Sequence, residues 1–133
     1  MLPLHAGGRE GDCWREGVTY SLFCLDCGER VARYLGETGR NGYTRGLEHL
    51  DNLGTREENK SVLWAHTVHH HGGRAEVEYA MRVTGVHADS MDRQVREGVN
   101  IANFQGPILM NRRAEMGGVR VERHQYRRWG VVE

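Results

Sequence analysis

Two cysteines and two distant histidines constrain the fold of this 133-residue chain more than any other feature. Cys24 and Cys27 form a C-x-x-C pair, and 38 residues separate Cys27 from His66, which His71 follows. Two cysteines with two histidines make a complete tetrahedral ligand set for structural Zn²⁺. The long gap predicts a clip between distant parts of one domain rather than an independent zinc finger.

His71 is a less direct choice of ligand than His66. Residues five apart do not share a face of a regular helix, whereas His69 or His70 would lie nearer to His66. The Gly72–Gly73 pair indicates that the helix unwinds there, so His71 is the predicted fourth ligand. From the residues alone, a redox-active C-x-x-C and unbound thiols beside a solvated histidine cluster stay open. Cys13 lies outside the set and is expected to be a free thiol.

The composition predicts a single soluble domain. Apolar residues make up 38% of the 15.2 kDa chain, and the 18 acidic residues balance the 18 basic ones, of which 17 are arginine. No run approaches the roughly 20 apolar residues of a membrane helix, so no membrane partner is expected. The N-terminus lacks the apolar core of a signal peptide. Residues 1–16 show no periodicity and are predicted to be a linker or end segment.

Hydropathy periodicity predicts an α/β chain of the α+β type, with a small, mostly antiparallel three-stranded sheet flanked by helices. Strands are expected at residues 18–25, 31–35 and 75–83, with a polar connection from Gly36 to Gly42. Helices are expected at 43–53, from a capping box at Thr55–Glu58 to His71, and at 90–103. A short strand could follow at 119–121. The predicted buried stripes are Tyr43, Leu47 and Leu50 on the first helix and Met91, Val95, Val99 and Ala102 on the third.

Side chains suited to phosphodiester chemistry follow one another along this pattern. Tyr20 and Tyr34 lie on the predicted hairpin, and Arg45 and His49 share one face of the next helix. Glu97 lies on the third predicted helix, and Asn111 follows it. Each residue alone has an ordinary structural role: Tyr20 in the core, Glu97 paired with Arg93, or His49 at a helix end.

In order, these residues resemble the GIY-YIG nuclease superfamily, in which two hairpin tripeptides supply two tyrosines and later helices supply an arginine and a glutamate. The closer resemblance, over about residues 18–115, is to the zinc-containing CCHH endonuclease domain of Penelope-like retroelements. Val18-Thr19-Tyr20 replaces the usual Gly-Ile-Tyr and keeps its tyrosine. The matching text is Cys24-x-x-Cys27, Tyr34-Leu-Gly-Glu-Thr-Gly-Arg40, Arg45-Gly-Leu-Glu-His49, Ser61-Val-Leu-Trp-Ala-His66 and Arg93-Gln-Val-Arg-Glu97.

The resemblance implies a metal-dependent DNA endonuclease. Glu97 would bind a catalytic Mg²⁺ or Mn²⁺, and Arg45 would contact the phosphate. Tyr20 would be the preferred base, with Tyr34 and His49 sharing proton transfer and Asn111 positioning groups. A nick in duplex DNA would leave a 3′ hydroxyl for target-primed reverse transcription. The domain would belong to a larger reverse-transcriptase polyprotein and work in the nucleus, with no prediction of oligomeric state. The alternative is a zinc-stabilised nucleic-acid-binding module that does not cleave.

The C-terminal region is rich in arginine. Residues 112–128 hold six arginines against two glutamates, a local net charge of +4. Such a segment is predicted to contact DNA phosphates, although an irregular solvated C-terminus is the alternative. The boundaries that follow are a linker at 1–16, the endonuclease domain at 17–115 and an Arg-rich extension at 116–133. The predicted DNA-binding residues are Arg40, Arg112, Arg113, Arg120 and Arg123.

Overall fold

The computed structural model describes residues 14–112, which form a sheet packed between helices. None of the helices in this range is long and apolar enough to cross a membrane. The strand order in the sheet is β3-β1-β2-β4. In chain order the elements are β1 (Glu16–Cys24), β2 (Ala32–Asn41), α1 (Gly42–Thr55), α2 (Val62–His71), β3 (Tyr79–Val86), α3 (Ser90–Asn103) and β4 (Ile108–Leu109).

Within residues 14–112 the sheet has four strands and is mixed, so the prediction of a mostly antiparallel sheet of three strands is wrong in its strand count and misses the parallel pairing. β1 pairs antiparallel with both β2 and β3, but β4 runs parallel to β2. The backbone N–H groups of Ile108 and Met110 donate to the carbonyl oxygens of Val31 and Arg33. Two residues are too few to show a hydropathy period, which is why β4 escaped prediction.

β2 is longer than predicted because hydrogen-bonded pairing with β1 outweighs the low strand propensity of its glycines. The segment expected to be a polar connection continues the strand to Asn41, and Gly36 pairs with Tyr20 of β1. Glycine inside a strand often marks a close approach by a neighbouring group, and that is its role here. β1 begins at Glu16, two residues before its predicted start, and β3 begins at Tyr79 rather than at residue 75.

The predicted capping box at Thr55–Glu58 does not start α2. α1 continues through Gly54 and Thr55, and Arg56 ends it in the left-handed conformation with φ of 55°. α2 instead begins after Ser61, whose hydroxyl accepts a hydrogen bond from the Trp64 N–H. Ser61 is an N-cap without the glutamate that would complete a capping box.

The predicted inward faces of two helices are rotated away from the observed ones. α1 buries Gly42, Gly46 and His49, whereas Leu47 is exposed and Leu50 is only partly buried. Small residues let α1 lie close to the sheet. On α3 all four residues of the predicted stripe are exposed: Met91 by 58%, Val95 by 43% and Val99 by 50%, along with Ala102.

Arg93, one of two buried residues on α3 with Ile101, bonds this helix to the sheet. Its side chain is buried, its Nε donates to Glu37 Oε1 of β2 at 2.9 Å, and Nη1 donates to the carbonyl oxygens of His87 and Ala88. A Cβ at Gly39 would lie 3.2 Å from Nη2, so the strand leaves room for the guanidinium. Hydropathy periodicity identifies buried apolar residues and not a buried arginine, which explains why it predicted the wrong buried face of α3.

We therefore expect Arg93→Leu to lower the free energy of unfolding by about 2–5 kcal/mol, because it leaves the Glu37 carboxylate and two carbonyl groups without their donor. Arg96→Leu is the matched control on the same helix, since Arg96 pairs with Asp92 at the surface. It should change stability by about 0.5 kcal/mol or less. Urea denaturation of both variants tests this, and equal losses would contradict the anchoring role.

Candidate active site and metal centre

The Tyr20 hydroxyl is the centre of a buried polar cluster. Tyr20 lies on β1 and is 2% exposed. Its oxygen is 2.9 Å from His49 Nε2 and accepts a hydrogen bond from Arg45 Nε at 3.1 Å. Arg45 and His49 are four residues apart on α1, so one helix face delivers both. The structure thus brings these three predicted site residues together.

Tyr34 joins this cluster, and Gly36 makes room for it. The Tyr34 ring lies 6.3 Å from the Tyr20 ring and 5.3 Å from the His49 ring, measured between centroids. A Cβ at Gly36 would lie 2.6 Å from Tyr20 Cζ and 2.9 Å from Tyr34 Cε2. Any side chain at Gly36 would displace both rings. Close packing of the two tyrosine rings therefore explains why a glycine occupies position 36.

His49 is held in its neutral form. Burial, and then the positive charge of Arg45, lowers the pKa of His49 to about 3. A neutral imidazole can accept a hydrogen bond from the Tyr20 hydroxyl at Nε2, while the Arg45 N–H donates to the same hydroxyl oxygen. The positive charge of Arg45 thus lies directly beside that hydroxyl. The cluster therefore has the parts of a proton-transfer site.

Glu48 links Arg45 to the surface, a residue that sequence reasoning missed. Glu48 Oε1 accepts from Arg45 Nη1 at 2.9 Å and from Arg40 Nη2 at 2.7 Å. The hydrogen bond from Arg40, and then that from Arg45, lowers the pKa of Glu48 against the effect of burial. Burial alone would lower the pKa of Arg45, but the Tyr20 and Glu48 interactions outweigh it and raise the pKa. The i, i+3 spacing of Glu48 from Arg45 was a signal that could have found it.

Asn111 acts on the backbone of β2. Its buried carboxamide accepts from the Leu35 N–H and donates to the Leu35 carbonyl oxygen, both at 2.8 Å. These bonds continue the edge of β2 beyond β4 and fix the strand directly after Tyr34. Glu97 is partly buried on α3, one turn after Arg93.

The structure describes two of the five arginines predicted to bind DNA, and the DNA contacts of all five stay predictions. Arg40 lies at the surface and is bonded to Glu48. Arg112 donates to the backbone carbonyl oxygens of Asn59 and Glu58 in the loop between α1 and α2. Arg113, Arg120 and Arg123 fall outside the described residues, as do Cys13 and the short strand expected at 119–121. Their DNA contacts stay predictions.

The four predicted ligands Cys24, Cys27, His66 and His71 form one cluster that could bind a metal such as zinc. Their ligand atoms all lie within 4.8 Å of one another. Cys27 Sγ is 3.4 Å from His66 Nε2 and 3.3 Å from His71 Nε2, and Cys24 Sγ is 3.3 Å from His71 Nε2. Zn–S bonds of about 2.3 Å and Zn–N bonds of about 2.0 Å in a tetrahedron put sulfur and nitrogen roughly 3.5 Å apart. The observed distances fit that geometry.

The end of α2 explains why His71 can reach the cluster. The Gly72 N–H donates to the Thr67 carbonyl oxygen five residues back, so the last turn is wider than an α-helical turn. Gly72 takes the left-handed conformation with φ of 64°. The wider turn rotates His71 toward His66, and their ring centroids lie 5.0 Å apart. His71, rather than His69 or His70, is the fourth member of the cluster.

The protonation states of the cluster suit a cation. Burial, then the hydrogen bond with Cys24 and then the negative charges of Cys24 and Asp26 raise the pKa of the Cys27 thiol to about 11, so a cation at the cluster would stabilise its thiolate. Burial, and then the charges of His70 and His71, lowers the pKa of His66 to about 4. Neutral imidazole is the form that binds metal.

Removing the metal is expected to destabilise the domain. His71→Ala should abolish binding of one Zn²⁺ per chain and lower the free energy of unfolding by about 3 kcal/mol or more, because ligand binding contributes directly to folding. His70→Ala is the matched control, since exposed His70 stacks on His66 but is outside the ligand set. Elemental analysis and thermal denaturation measure both effects. Loss of zinc from His70→Ala but not from His71→Ala would contradict the assignment.

The neutral His49 predicts a specific pH dependence. Its folded-state pKa of about 3 lies below the ordinary 6.5, so its contribution to stability is complete above pH 6.5 and is lost as the pH falls toward 3. His49→Gln can still bond the Tyr20 hydroxyl but does not titrate. The stability of the native protein relative to this variant should fall by up to about 1.4 kcal/mol per pH unit in that window.

Denaturation of both proteins between pH 3 and pH 8 tests this dependence. The Cys/His cluster is the same in both, so its own response to acid cancels in the difference. A constant difference across the range would mean that His49 is not held neutral by burial.

Comparisons of this chain with protein-family models, with curated proteins and with solved structures gave no match.

Proposed function

We propose that this domain is a metal-dependent endonuclease that hydrolyses a phosphodiester bond of duplex DNA. The observation that carries the proposal is the Tyr20 hydroxyl held between Arg45 Nε and His49 Nε2 beside Tyr34. These residues come from the motifs that resemble the GIY-YIG superfamily. A phenol, a guanidinium and a neutral imidazole in contact are the groups that water activation at a phosphate requires.

In this proposal Tyr20 is the base that takes a proton from the attacking water. The Arg45 guanidinium offsets charge on the ionised phenol and on the phosphate. Neutral His49 accepts a hydrogen bond at Nε2 from the protonated phenol and so holds it in place, and Tyr34 shares in orienting the water. Asn111 acts indirectly, since its two bonds to Leu35 hold the strand that carries Tyr34.

Glu97 is the residue proposed to hold the catalytic Mg²⁺ or Mn²⁺. A single carboxylate fits magnesium, which keeps several waters and shares its coordination with substrate phosphate. When bound, the ion would neutralise charge on the phosphoryl oxygens and the leaving 3′ oxygen. The Cys/His cluster is proposed to hold structural Zn²⁺ because all four positions are filled by protein.

The biological role proposed here follows the resemblance to Penelope-like retroelements. A nick that leaves a 3′ hydroxyl supplies a primer for reverse transcription at the target. The domain would then be one part of a larger reverse-transcriptase polyprotein that acts in the nucleus. Arg40 and the Arg-rich extension would contact DNA phosphates in this role.

A zinc-stabilised nucleic-acid-binding module without cleavage is the alternative. The deep burial of Tyr20 favours it, because a phenol with so little exposure can serve as a structural hydrogen-bonding group in the core. In that case the Tyr20–Arg45–His49 contacts would stabilise the fold and have no role at a phosphate.

Nicking of supercoiled plasmid by zinc-loaded protein with Mg²⁺ or Mn²⁺ separates the two functions. Glu97→Gln should slow nicking by roughly 100-fold or more while DNA affinity is kept, because only the metal ligand is lost. Glu78→Gln is the matched control at an exposed acidic position. Folded protein that binds DNA but never nicks it would support the binding module, and equal nicking by Glu97→Gln would remove Glu97 from the site.

A further inference from the structure

A cleft of about 200 Å³ lies at the far end of α1, away from the Tyr20 cluster. It is bounded by the last turns of α1, by α2 and by the segment that leads into β3. Its floor is apolar, with Leu50, Leu53 and Val77, and Trp64 forms a wall. Arg56 and Arg74 also line it, so two cations border an aromatic cleft. The motifs described above give none of these groups a role.

Arg56 and Trp64 lie together and form one surface of the cleft. The Arg56 guanidinium carbon lies 5.6 Å from the centre of the Trp64 ring, over its face. Arg56 sits at the left-handed residue that ends α1, so its position is set by the helix end. Aromatic side chains are surfaces on which nucleobases stack in single-stranded nucleic-acid sites, and arginine adds cation–π attraction there.

Arg74 supplies a second cation at this cleft. It bonds Asp26 at 3.2 Å and lies 3.5 Å from Glu76, both at exposed sites. Exposed pairs of this kind contribute little, so a phosphate can replace the carboxylates at small cost. A phosphate that meets two guanidinium groups gains charge-assisted hydrogen bonds from both.

The cleft lies at the C-terminal end of α1, and Arg45 lies in the first turn of the same helix. Arg56 comes eleven positions after Arg45, so the rise between them along the helix is roughly 16 Å. One DNA strand has a phosphate about every 3.4 Å along the helix axis, so the two arginines are separated by roughly five phosphate steps. A strand cut near Arg45 could therefore extend to Arg56.

We infer that this cleft binds one unpaired nucleotide of a DNA substrate, with its base stacked on the Trp64–Arg56 surface and its phosphate between Arg56 and Arg74. The inference rests on the proposed function because it names the DNA that the same domain would cut: a duplex with an unpaired nucleotide a few positions from the cut site.

The test measures binding, so it is independent of cleavage. The probes are a fluorescent duplex with a single unpaired adenine and the same duplex fully paired, with zinc-loaded protein and no added Mg²⁺ or Mn²⁺. The native protein should bind the duplex with the unpaired adenine at least about fivefold more tightly. Trp64→Leu should remove that preference, and Trp14→Leu, the matched exposed tryptophan, should keep it.

Arg56→Gln is a second test variant, which keeps Trp64 and changes the salt dependence of DNA binding. Loss of one phosphate contact should reduce the slope of log K against log salt concentration by about 0.9. Arg96→Gln, an exposed arginine outside the cleft, should leave the slope unchanged. If Trp64→Leu fails to fold, judged by its zinc content, Arg56→Gln decides.

Equal affinity for the two duplexes overturns the inference, as does a preference that survives both Trp64→Leu and Arg56→Gln. Failure of the proposed function gives a different result. In that case the protein does not nick the plasmid but still prefers the duplex with the unpaired adenine. Nicking without any preference removes the cleft from DNA recognition and leaves the endonuclease standing.

Discussion

The pairing register between β1 and β2 is the constraint on which the rest of the site depends. It places Tyr20 opposite Gly36, which has no side chain to meet the phenol ring. A slip of one residue would turn Tyr20 to the other face of the sheet, away from α1. Arg45 and His49 would then have no hydroxyl to contact. Backbone pairing, more than any side-chain contact, therefore decides whether the cluster exists.

Polar groups attach the helices to this sheet more than the apolar patterns suggested. α3 is attached through Arg93, and the Tyr79 hydroxyl of β3 lies 2.6 Å from Thr67 Oγ1 of α2. Such contacts have strict geometry, so they fix orientation as well as proximity. That suits a site whose groups must stay within hydrogen-bonding distance.

The sequence was informative where chemistry depends on residue type and spacing. The Cys/His ligands could be identified because few residue types bind zinc, and the strand alternation of β1 was visible directly. The buried face of α3 could not be predicted from the sequence, because an arginine is buried there and two valines are exposed, the reverse of what hydropathy predicts. β4 and the length of β2 depend on hydrogen bonds between segments far apart in the chain, which a local pattern does not contain. For the same reason Asn111 could be noticed as a residue, but its two hydrogen bonds to Leu35 could not be predicted.

The Cys/His cluster has a topological consequence for the Tyr20 cluster. A metal held between Cys27 and His66 would close a covalent-like ring in the chain, and Tyr34, Arg45 and His49 all lie on that ring. Tyr20 lies outside this ring, on β1, which ends at Cys24 just before the ring begins. The metal would thus close a loop of the chain that holds Tyr34, Arg45 and His49 against Tyr20. Oxidation of the cysteines or chelation of the metal would loosen this loop without changing any group that bonds the Tyr20 hydroxyl.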